Sequence, residues 1–155
     1  MKIALGADHR GAVTGRALSA QLGAAGHEVL VVGEFSETPS DYPDVAFGVA
    51  EAVTDGRADR GILVCGTGIG ASIAANKVRG ARAALVHDEI GAELSRRHND
   101  ATVLCLAGDT ITSDEAVGIV EVWLRTNFDG GRHERRVKKI QAIERGGNPA
   151  ALGNR

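Results

Sequence analysis

The sequence predicts a single α/β domain built around a five-stranded parallel sheet. Its 155 residues match the length of one domain with one sizeable core. Short apolar runs alternate along the chain with segments of helical periodicity, which is the pattern of a parallel α/β sheet. These runs are continuous and do not alternate apolar with polar residues, as expected for strands covered on both faces.

The strands and helices are placed by the apolar runs and by residues that begin or end helices. The predicted strands are 2–6, 28–32, 61–65, 82–86 and 102–107. The predicted helices are 12–25, 44–55, 70–78, 89–97, 114–127 and 135–145. Pro43 precedes the second helix, Asp88 is the predicted cap of the fourth, and Ser113 opens the fifth. Gly26 is positioned to end the first helix.

The composition argues against several classes of partner. The formal net charge is −2 and only 3% of the residues are aromatic, which disfavours nucleic-acid binding. No apolar run approaches the roughly 20 residues of a membrane span. The two cysteines lie in strand-like runs and do not form a disulfide framework, so we expect a cytoplasmic protein. Residues 1–145 form the predicted domain, and residues 146–155 form a predicted flexible tail.

Polar residues follow several of the predicted strands. The sequence "ADHRG" follows the first strand, "CGTGIGAS" the third and "HDE" the fourth, and the next helix ends in "RRHND". Ligands of open parallel sheets bind outside the carboxyl ends of the strands. We therefore expect these four segments to converge on one crevice.

The glycine loop after the third strand has three interpretations. Glycine lets the backbone approach a ligand closely, so the loop is suited to holding a phosphate or a sugar oxyanion. Gly66, Gly68 and Ala71, followed by Asp88, also fit a dinucleotide-binding fingerprint, although this fingerprint normally follows the first strand. The third interpretation is a tight turn into a closely packed helix.

The two cysteines are expected to differ in role. Cys105 lies inside the run "VLCLA" and is predicted to be a core residue. Cys65 ends its strand beside the glycine loop, where a thiolate is a competent base or nucleophile. The alternative for Cys65 is the same buried packing role as for Cys105.

His9, which follows Asp8, and His98, at the end of a helix, are the candidate catalytic histidines. The alternative for each is a surface or capping role.

Arg132 and Arg136 are four positions apart, so on a helix they share one face and form either a phosphate clamp or a solvated basic surface. No zinc-site spacing occurs, and we expect no metal.

Five segments in this order resemble the ribose-5-phosphate isomerase B family, which also includes galactose-6-phosphate and allose-6-phosphate isomerases. The segments are "GADHRG", "DYPD", "CGTGIGASIAANK", "SRRHND" and "GGRHERR", and the resemblance covers roughly residues 1–145. It implies a Rossmann-like three-layer sandwich and a cofactor-free aldose–ketose isomerase acting on a small-molecule sugar phosphate. It also implies a homodimer or homotetramer with shared active sites.

The resemblance further implies a role for individual residues of this chain. Cys65 matches the base that moves a proton between carbon 1 and carbon 2, and His98, supported by Asp8, matches the group that opens the furanose ring. The matched oxyanion and loop positions are Gly66, Thr67, Gly68, Ile69 and Gly70. The matched phosphate ligands are His9, Arg132 and Arg136, and the matched substrate-lining residues are Tyr42 and Asn99.

One position departs from the family pattern. Some members have a phosphate-binding arginine in the loop after the fifth strand, where this chain has Asp109. Ribose 5-phosphate is the expected substrate, and the alternatives are galactose 6-phosphate, allose 6-phosphate or a tetrose phosphate. Two rival hypotheses are a dinucleotide-dependent dehydrogenase that uses the glycine loop and a sugar-phosphate-binding regulatory module without turnover.

Overall fold

The computed structural model describes residues 1–153 and confirms a single α/β domain with a five-stranded, all-parallel sheet. The strand order is β2-β1-β3-β5-β4. β2 therefore lies on one side of β1 and the later strands lie on the other side, so the strand order reverses between β1 and β3. The strands are β1 (Lys2–Ala7), β2 (Glu28–Val32), β3 (Arg60–Cys65), β4 (Ala83–Leu85) and β5 (Val103–Ala107).

Residues 1–153 also contain six α-helices. They are α1 (Ala12–Ala24), α2 (Tyr42–Thr54), α3 (Ile69–Ala75), α4 (Glu89–Asn99), α5 (Ser113–Arg125) and α6 (Arg132–Glu144). A short 3₁₀ helix follows at Pro149–Leu152. Each element lies within a few residues of its predicted position, and α6 begins three residues before its predicted start.

A separate apolar cluster is buried on each face of the sheet. The sheet and the helices on its two faces therefore form three layers. Ile3 and Leu5 of β1 pack into one cluster, which includes the fully buried Trp123 of α5. Ala4, between them, packs into the other cluster together with Val49 of α2. Successive side chains of a strand point to opposite faces, so the continuous apolar runs supply both cores. The expectation of full burial is wrong for β2 and β4, which lie at the two edges of the sheet and are only partly covered.

Two of the predicted helix starts can be compared with the caps in the structure. Asp88 caps α4 by accepting a hydrogen bond from the amide of Gly91 at 2.6 Å. As predicted, α5 begins at Ser113, and its cap is the preceding residue, Thr112. Thr112 Oγ1 accepts from the amide of Glu115, whose carboxylate accepts from the amide of Thr112, so that two amides at the start of the helix are satisfied.

The predicted C-terminal tail contains the exposed 3₁₀ helix and follows α6. Residues 154 and 155 of this tail lie outside the described residues. Within residues 1–153, no helix combines the length and the apolar character that a membrane crossing requires.

Candidate active site

A cleft opens at the carboxyl edge of the sheet, where the loops after β1 and β3 meet. This is the point at which the strand order reverses, the usual ligand position in an open α/β sheet. Its volume of about 410 Å³ suits a small ligand. The cleft is lined by Asp8, His9, Arg10, Ser40, Asp41, Tyr42, Cys65, Gly66, Thr67, Gly70 and Asp109.

The Cys65 thiol lies at the floor of this cleft. Cys65 is the last residue of β3 and only 4% exposed, so it is more enclosed than its position before a glycine loop indicates. Its Sγ accepts a hydrogen bond from the amide of Gly68 at 3.2 Å. Gly68 directs its amide this way with a positive φ of 72°, a conformation that a residue with a Cβ adopts at a cost. An amide donor of this kind interacts most strongly with the sulfur when the sulfur is negatively charged.

Cys105 is a core residue, as the sequence predicts. It is fully buried in the middle of β5. Burial is the main cause of the raised pKa of its thiol. The two cysteines thus differ in access to the cleft, and only Cys65 lines it.

Asp8 and His9 shape the cleft from the β1 side. The buried Asp8 carboxylate accepts hydrogen bonds through Oδ1 from the amides of Arg10, at 2.9 Å, and Gly11, at 3.0 Å. These bonds fix the turn between β1 and α1. His9 Nδ1 accepts from the amide of Ser40 at 3.2 Å, which in the neutral ring leaves the hydrogen on Nε2. His9 is therefore set up to donate a hydrogen bond through Nε2.

Tyr42 and Thr67 complete the wall of the cleft. Tyr42 begins α2, and its ring lies over Gly70. Thr67 Oγ1 accepts from the amide of Ile69 at 3.4 Å and remains at the cleft surface. Gly68 and Ile69 are exceptions among the predicted loop residues, since neither lines the cleft. Gly68 lies against Leu85 of β4, and the side chain of Ile69 is exposed.

The remaining predicted residues do not line this cleft, so the expectation that the four segments converge on one crevice does not hold within a single chain. His98 and Asn99 end α4, which runs back along the sheet from the carboxyl ends of the strands to their amino ends. Asn99 lies beside the start of β4, where its carbonyl accepts from Nε of Arg82 at 3.2 Å. The segment "RRHND" follows a helix and not a strand, and the carboxyl-end rule does not apply to it.

His98 belongs to a second group of side chains, which lies near the amino ends of the strands. This group is here called the histidine cluster and consists of His98, Asp129 and His133. The two imidazole rings stack in parallel with their centroids 4.2 Å apart. Asp129 accepts hydrogen bonds from Arg97 at 3.2 Å, which lowers the pKa of its carboxyl. Arg132 Nε donates to His133 Nε2 at 3.3 Å. The pKa of His133 is lowered, first by burial and then by the positive charges of its neighbours.

Among residues 1–153, the histidine cluster brings together three potential metal ligands. Its potential ligand atoms all lie within 4.8 Å of one another. However, Arg97 engages both oxygens of Asp129, and Arg132 engages His133 Nε2. Arg132 and Arg136 lie on one face of α6, and both contribute positive charge at His133. This environment is better suited to an anion than to a metal cation.

The acidic residue that the dinucleotide hypothesis requires is Asp88, and in the structure it has a different role. Asp88 caps α4 through its carboxylate and does not line the cleft. In a dinucleotide-binding domain this carboxylate is needed to accept a hydrogen bond from the ribose. The glycine loop therefore fits a small polar ligand better than a dinucleotide.

Sequence reasoning missed two features of the cleft and its surroundings. Arg10 forms a salt bridge across the cleft with Asp109, a residue 99 positions away. Such a contact depends on the β1 and β5 loops meeting in space, although Arg10 lies within the same "ADHRG" segment as Asp8 and His9. The stacking of His133 on His98 was also missed. The available signal in the sequence is the position of His133 next to Arg132 at the start of α6.

Comparisons with known proteins agree with this architecture. The family model described as ribose/galactose isomerase matches residues 3–140. Ribose-5-phosphate isomerase B of Escherichia coli (strain K12) is 46% identical over 143 residues, which cover 92% of this chain and 96% of that protein. D-erythrulose-4-phosphate isomerase of Pectobacterium atrosepticum is 44% identical over 119 residues, covering 74% and 78% respectively. The crystal structure of ribose-5-phosphate isomerase B from Mycoplasma genitalium with bound ribulose-5-phosphate has a TM-score of 0.88 at 42% identity, covering 93% of this chain and 96% of that chain.

The fold and the cleft define an α/β protein in which a thiol, a hydroxyl and backbone amides line one small polar cleft. With the comparisons, the class becomes specific. The chain belongs to the ribose/galactose isomerase family and is an intramolecular oxidoreductase, an aldose–ketose sugar-phosphate isomerase of the ribose-5-phosphate isomerase B type.

Proposed function

We propose that this enzyme interconverts ribose 5-phosphate and ribulose 5-phosphate in the cytoplasm, without a cofactor. The observation that carries the proposal is the Cys65 thiol, held at the end of β3 in a small cleft with the Gly68 amide bonded to its sulfur. The names of the Escherichia coli and Mycoplasma genitalium relatives support the choice of the five-carbon substrate.

In the proposed reaction, the Cys65 thiolate removes the proton from carbon 2 of the open-chain aldose. The electrons move toward the carbonyl oxygen on carbon 1 and form an enediolate, which Thr67 and the loop amides stabilise by hydrogen bonding. The proton then returns to carbon 1, and a proton passes from the oxygen on carbon 2 to the oxygen on carbon 1. A positioned base contributes roughly 10²–10⁴-fold to such a step, and preorganised donors around the developing oxyanion usually contribute more.

We propose that a second copy of the chain completes the active site. His98, Arg132 and Arg136 lie away from the Cys65 cleft of their own chain, at or near the opposite edge of the sheet. A second copy that places its histidine cluster over this cleft brings the two sets together. This arrangement accounts for a homodimer, or for a homotetramer built from such dimers.

Exposed apolar side chains beside the cleft support this contact. Ile69 and Ile73 lie four positions apart on α3, directly after the glycine loop, and both are exposed. Phe47 on α2, which packs against α3, is also exposed. Large apolar side chains grouped in this way are typical of protein–protein contacts.

The proposed phosphate site also draws on both copies. His9 is available to donate through Nε2 from the cleft, and Arg132 and Arg136 supply guanidinium groups from one face of α6. The forked geometry of arginine suits a phosphate with several acceptor oxygens. Asn99 and Tyr42 are then expected to line the sugar.

A panel of aldose phosphates with four, five and six carbons tests the substrate, with ketose formation as the readout. We expect the highest kcat/KM with ribose 5-phosphate. The named alternative is a four-carbon sugar phosphate, which the Pectobacterium atrosepticum relative favours, and galactose 6-phosphate and allose 6-phosphate belong in the same panel. Binding of ribose 5-phosphate without turnover of any sugar would instead support a regulatory binding module.

The ring-opening role of His98 has a separate test. An aldose 4-phosphate with four carbons cannot close to a furanose, because its carbon 4 oxygen carries the phosphate. We expect His98→Asn to reduce turnover of ribose 5-phosphate much more than turnover of this open-chain substrate. Equal losses on both would assign His98 to the proton transfer or to holding the site together.

A further inference from the structure

Arg10 and Asp109 form a two-point ion pair at the mouth of the cleft. Arg10 Nε donates to Asp109 Oδ1 at 3.1 Å, and Nη2 donates to Oδ2. A two-point contact between a guanidinium and a carboxylate fixes the plane of the guanidinium as well as its position. The Arg10 side chain is 58% exposed, so this fixed group faces solvent in the cleft, and is not part of the core.

The pair lies directly over the start of the glycine loop. A Cβ placed on Gly66 would come within 2.8 Å of Arg10 Nε and 2.9 Å of Asp109 Oδ2. Because Gly66 has no Cβ, the ion pair has room to lie immediately beside Cys65. Since Asp109 takes the Nε and Nη2 donors, Nη1 keeps its N–H groups outside the pair.

The charges of the cleft make Arg10 important for an anionic ligand. Among the residues that line the cleft, Arg10 is the only arginine or lysine, whereas Asp8, Asp41 and Asp109 are acidic. The pKa of the Arg10 guanidinium is raised, mainly by the hydrogen bond and charge of Asp109 and to a smaller degree by Asp8 and Cys65. Arg10 thus remains charged and lines the same cleft as the Cys65 thiol.

We propose that Arg10 binds the phosphate of the substrate from the Cys65 side of the site, and that Asp109 is a positioning residue that holds the guanidinium in place. This inference rests on the proposed function, since it takes a sugar phosphate as the ligand. A carboxylate at position 109 does not itself bind phosphate, but it presents an arginine from the β1 loop to the same part of the cleft. The pair therefore determines recognition of the phosphate end of the substrate.

A simpler role for Asp109 leads to the opposite result. If the carboxylate merely lowered the positive charge of the cleft, its removal would strengthen phosphate binding whether or not Arg10 were present. If it positions Arg10, its removal weakens binding only while Arg10 is present. A double-mutant cycle separates these two cases, because the two residues are in direct contact.

The experiment compares wild type, Arg10→Ala, Asp109→Ala and the double variant. Arg57→Ala is the matched control, because Arg57 is also about half exposed and paired with acidic residues, but lies outside the cleft. Two quantities are measured for each protein: the dissociation constant of inorganic phosphate by calorimetry, and kcat and KM for ribose 5-phosphate. Circular dichroism checks that each variant is folded.

We expect Arg10→Ala to weaken phosphate binding and to raise KM by roughly tenfold, the effect of losing a charge-assisted hydrogen bond, with a smaller change in kcat. Asp109→Ala should act in the same direction, and the double variant should match Arg10→Ala. The inference is overturned if Arg10→Ala binds phosphate as Arg57→Ala does, or if Asp109→Ala has the same effect in both backgrounds. Failure of the proposed function is distinct, since it appears as absence of turnover in wild type, and the phosphate titrations still report on Arg10.

Discussion

Combining two inactive variants in one oligomer tests whether each active site is built from two chains. Cys65→Ala removes the proposed base, and His98→Asn removes the proposed ring-opening group. The two residues lie at opposite edges of the sheet, with Cys65 at the carboxyl end of β3 and His98 near the end of α4. A chain that lacks one of them still carries the other in intact form.

The expected recovery follows from counting sites. In a random mixture of dimers, half contain one chain of each kind, and each such hybrid has one intact site and one site with both defects. About a quarter of the wild-type sites are therefore restored in the mixture, and about half in purified hybrids. Co-expression of the two variants with different affinity tags allows the hybrids to be isolated and assayed for conversion of ribose 5-phosphate.

The same mixture also provides the refuting result. If both residues acted within one chain, every chain of a hybrid would lack one of them, and the activity would stay at the level of the single variants. Hybrids made from Cys65→Ala and wild-type chains are the matched control, and these should retain about half of the wild-type activity.

Three further predictions concern packing, phosphate binding and pH. Cys105→Ala should lower the free energy of unfolding by roughly 1–2 kcal/mol through lost core packing, with turnover largely kept; a loss of turnover in the folded variant would contradict its assignment to the core. Arg132→Ala and Arg136→Ala should each raise KM for the sugar phosphate by roughly ten- to hundredfold. Lys138→Ala, on the same helix and paired with an acidic neighbour, should change KM little, and an equal effect would argue against the clamp. Because the pKa of His133 is lowered in the fold, the unfolded chain binds its proton first as the pH falls below about 6.5. The free energy of unfolding should then decrease below that pH, and urea titrations should show a smaller decrease for His133→Gln.

Much of the fold could be predicted because its signals are local. The continuous apolar run that ends at Cys65 marks a central strand, and Asp88, which follows another strand, caps α4 at its expected position. The position of a strand within the sheet is not local information. The run at 28–32 resembles the central strands in composition, yet β2 lies at an edge and is partly exposed.

The site was predictable in part for the same reason. Asp8 and His9 follow a strand and Cys65 ends one, and the carboxyl ends of parallel strands lie on the same side of the sheet. His98 follows a helix, and its place at the far edge becomes evident only when the direction of α4 is considered. The contact between Arg10 and Asp109 joins two loops that are distant in sequence, so no pattern within either loop reveals it.

The most direct test of the account is hydrogen exchange at the sugar carbons during isomerisation in deuterated water. With wild type, we expect ribose 5-phosphate to convert to ribulose 5-phosphate and to gain deuterium at the carbons between which the proton moves, as followed by NMR. Cys65→Ala, with unchanged circular dichroism, should lose both conversion and exchange by about 10²-fold or more, the contribution of a positioned base. Exchange at the wild-type rate in Cys65→Ala would contradict the account, because the proton would then move without the thiol.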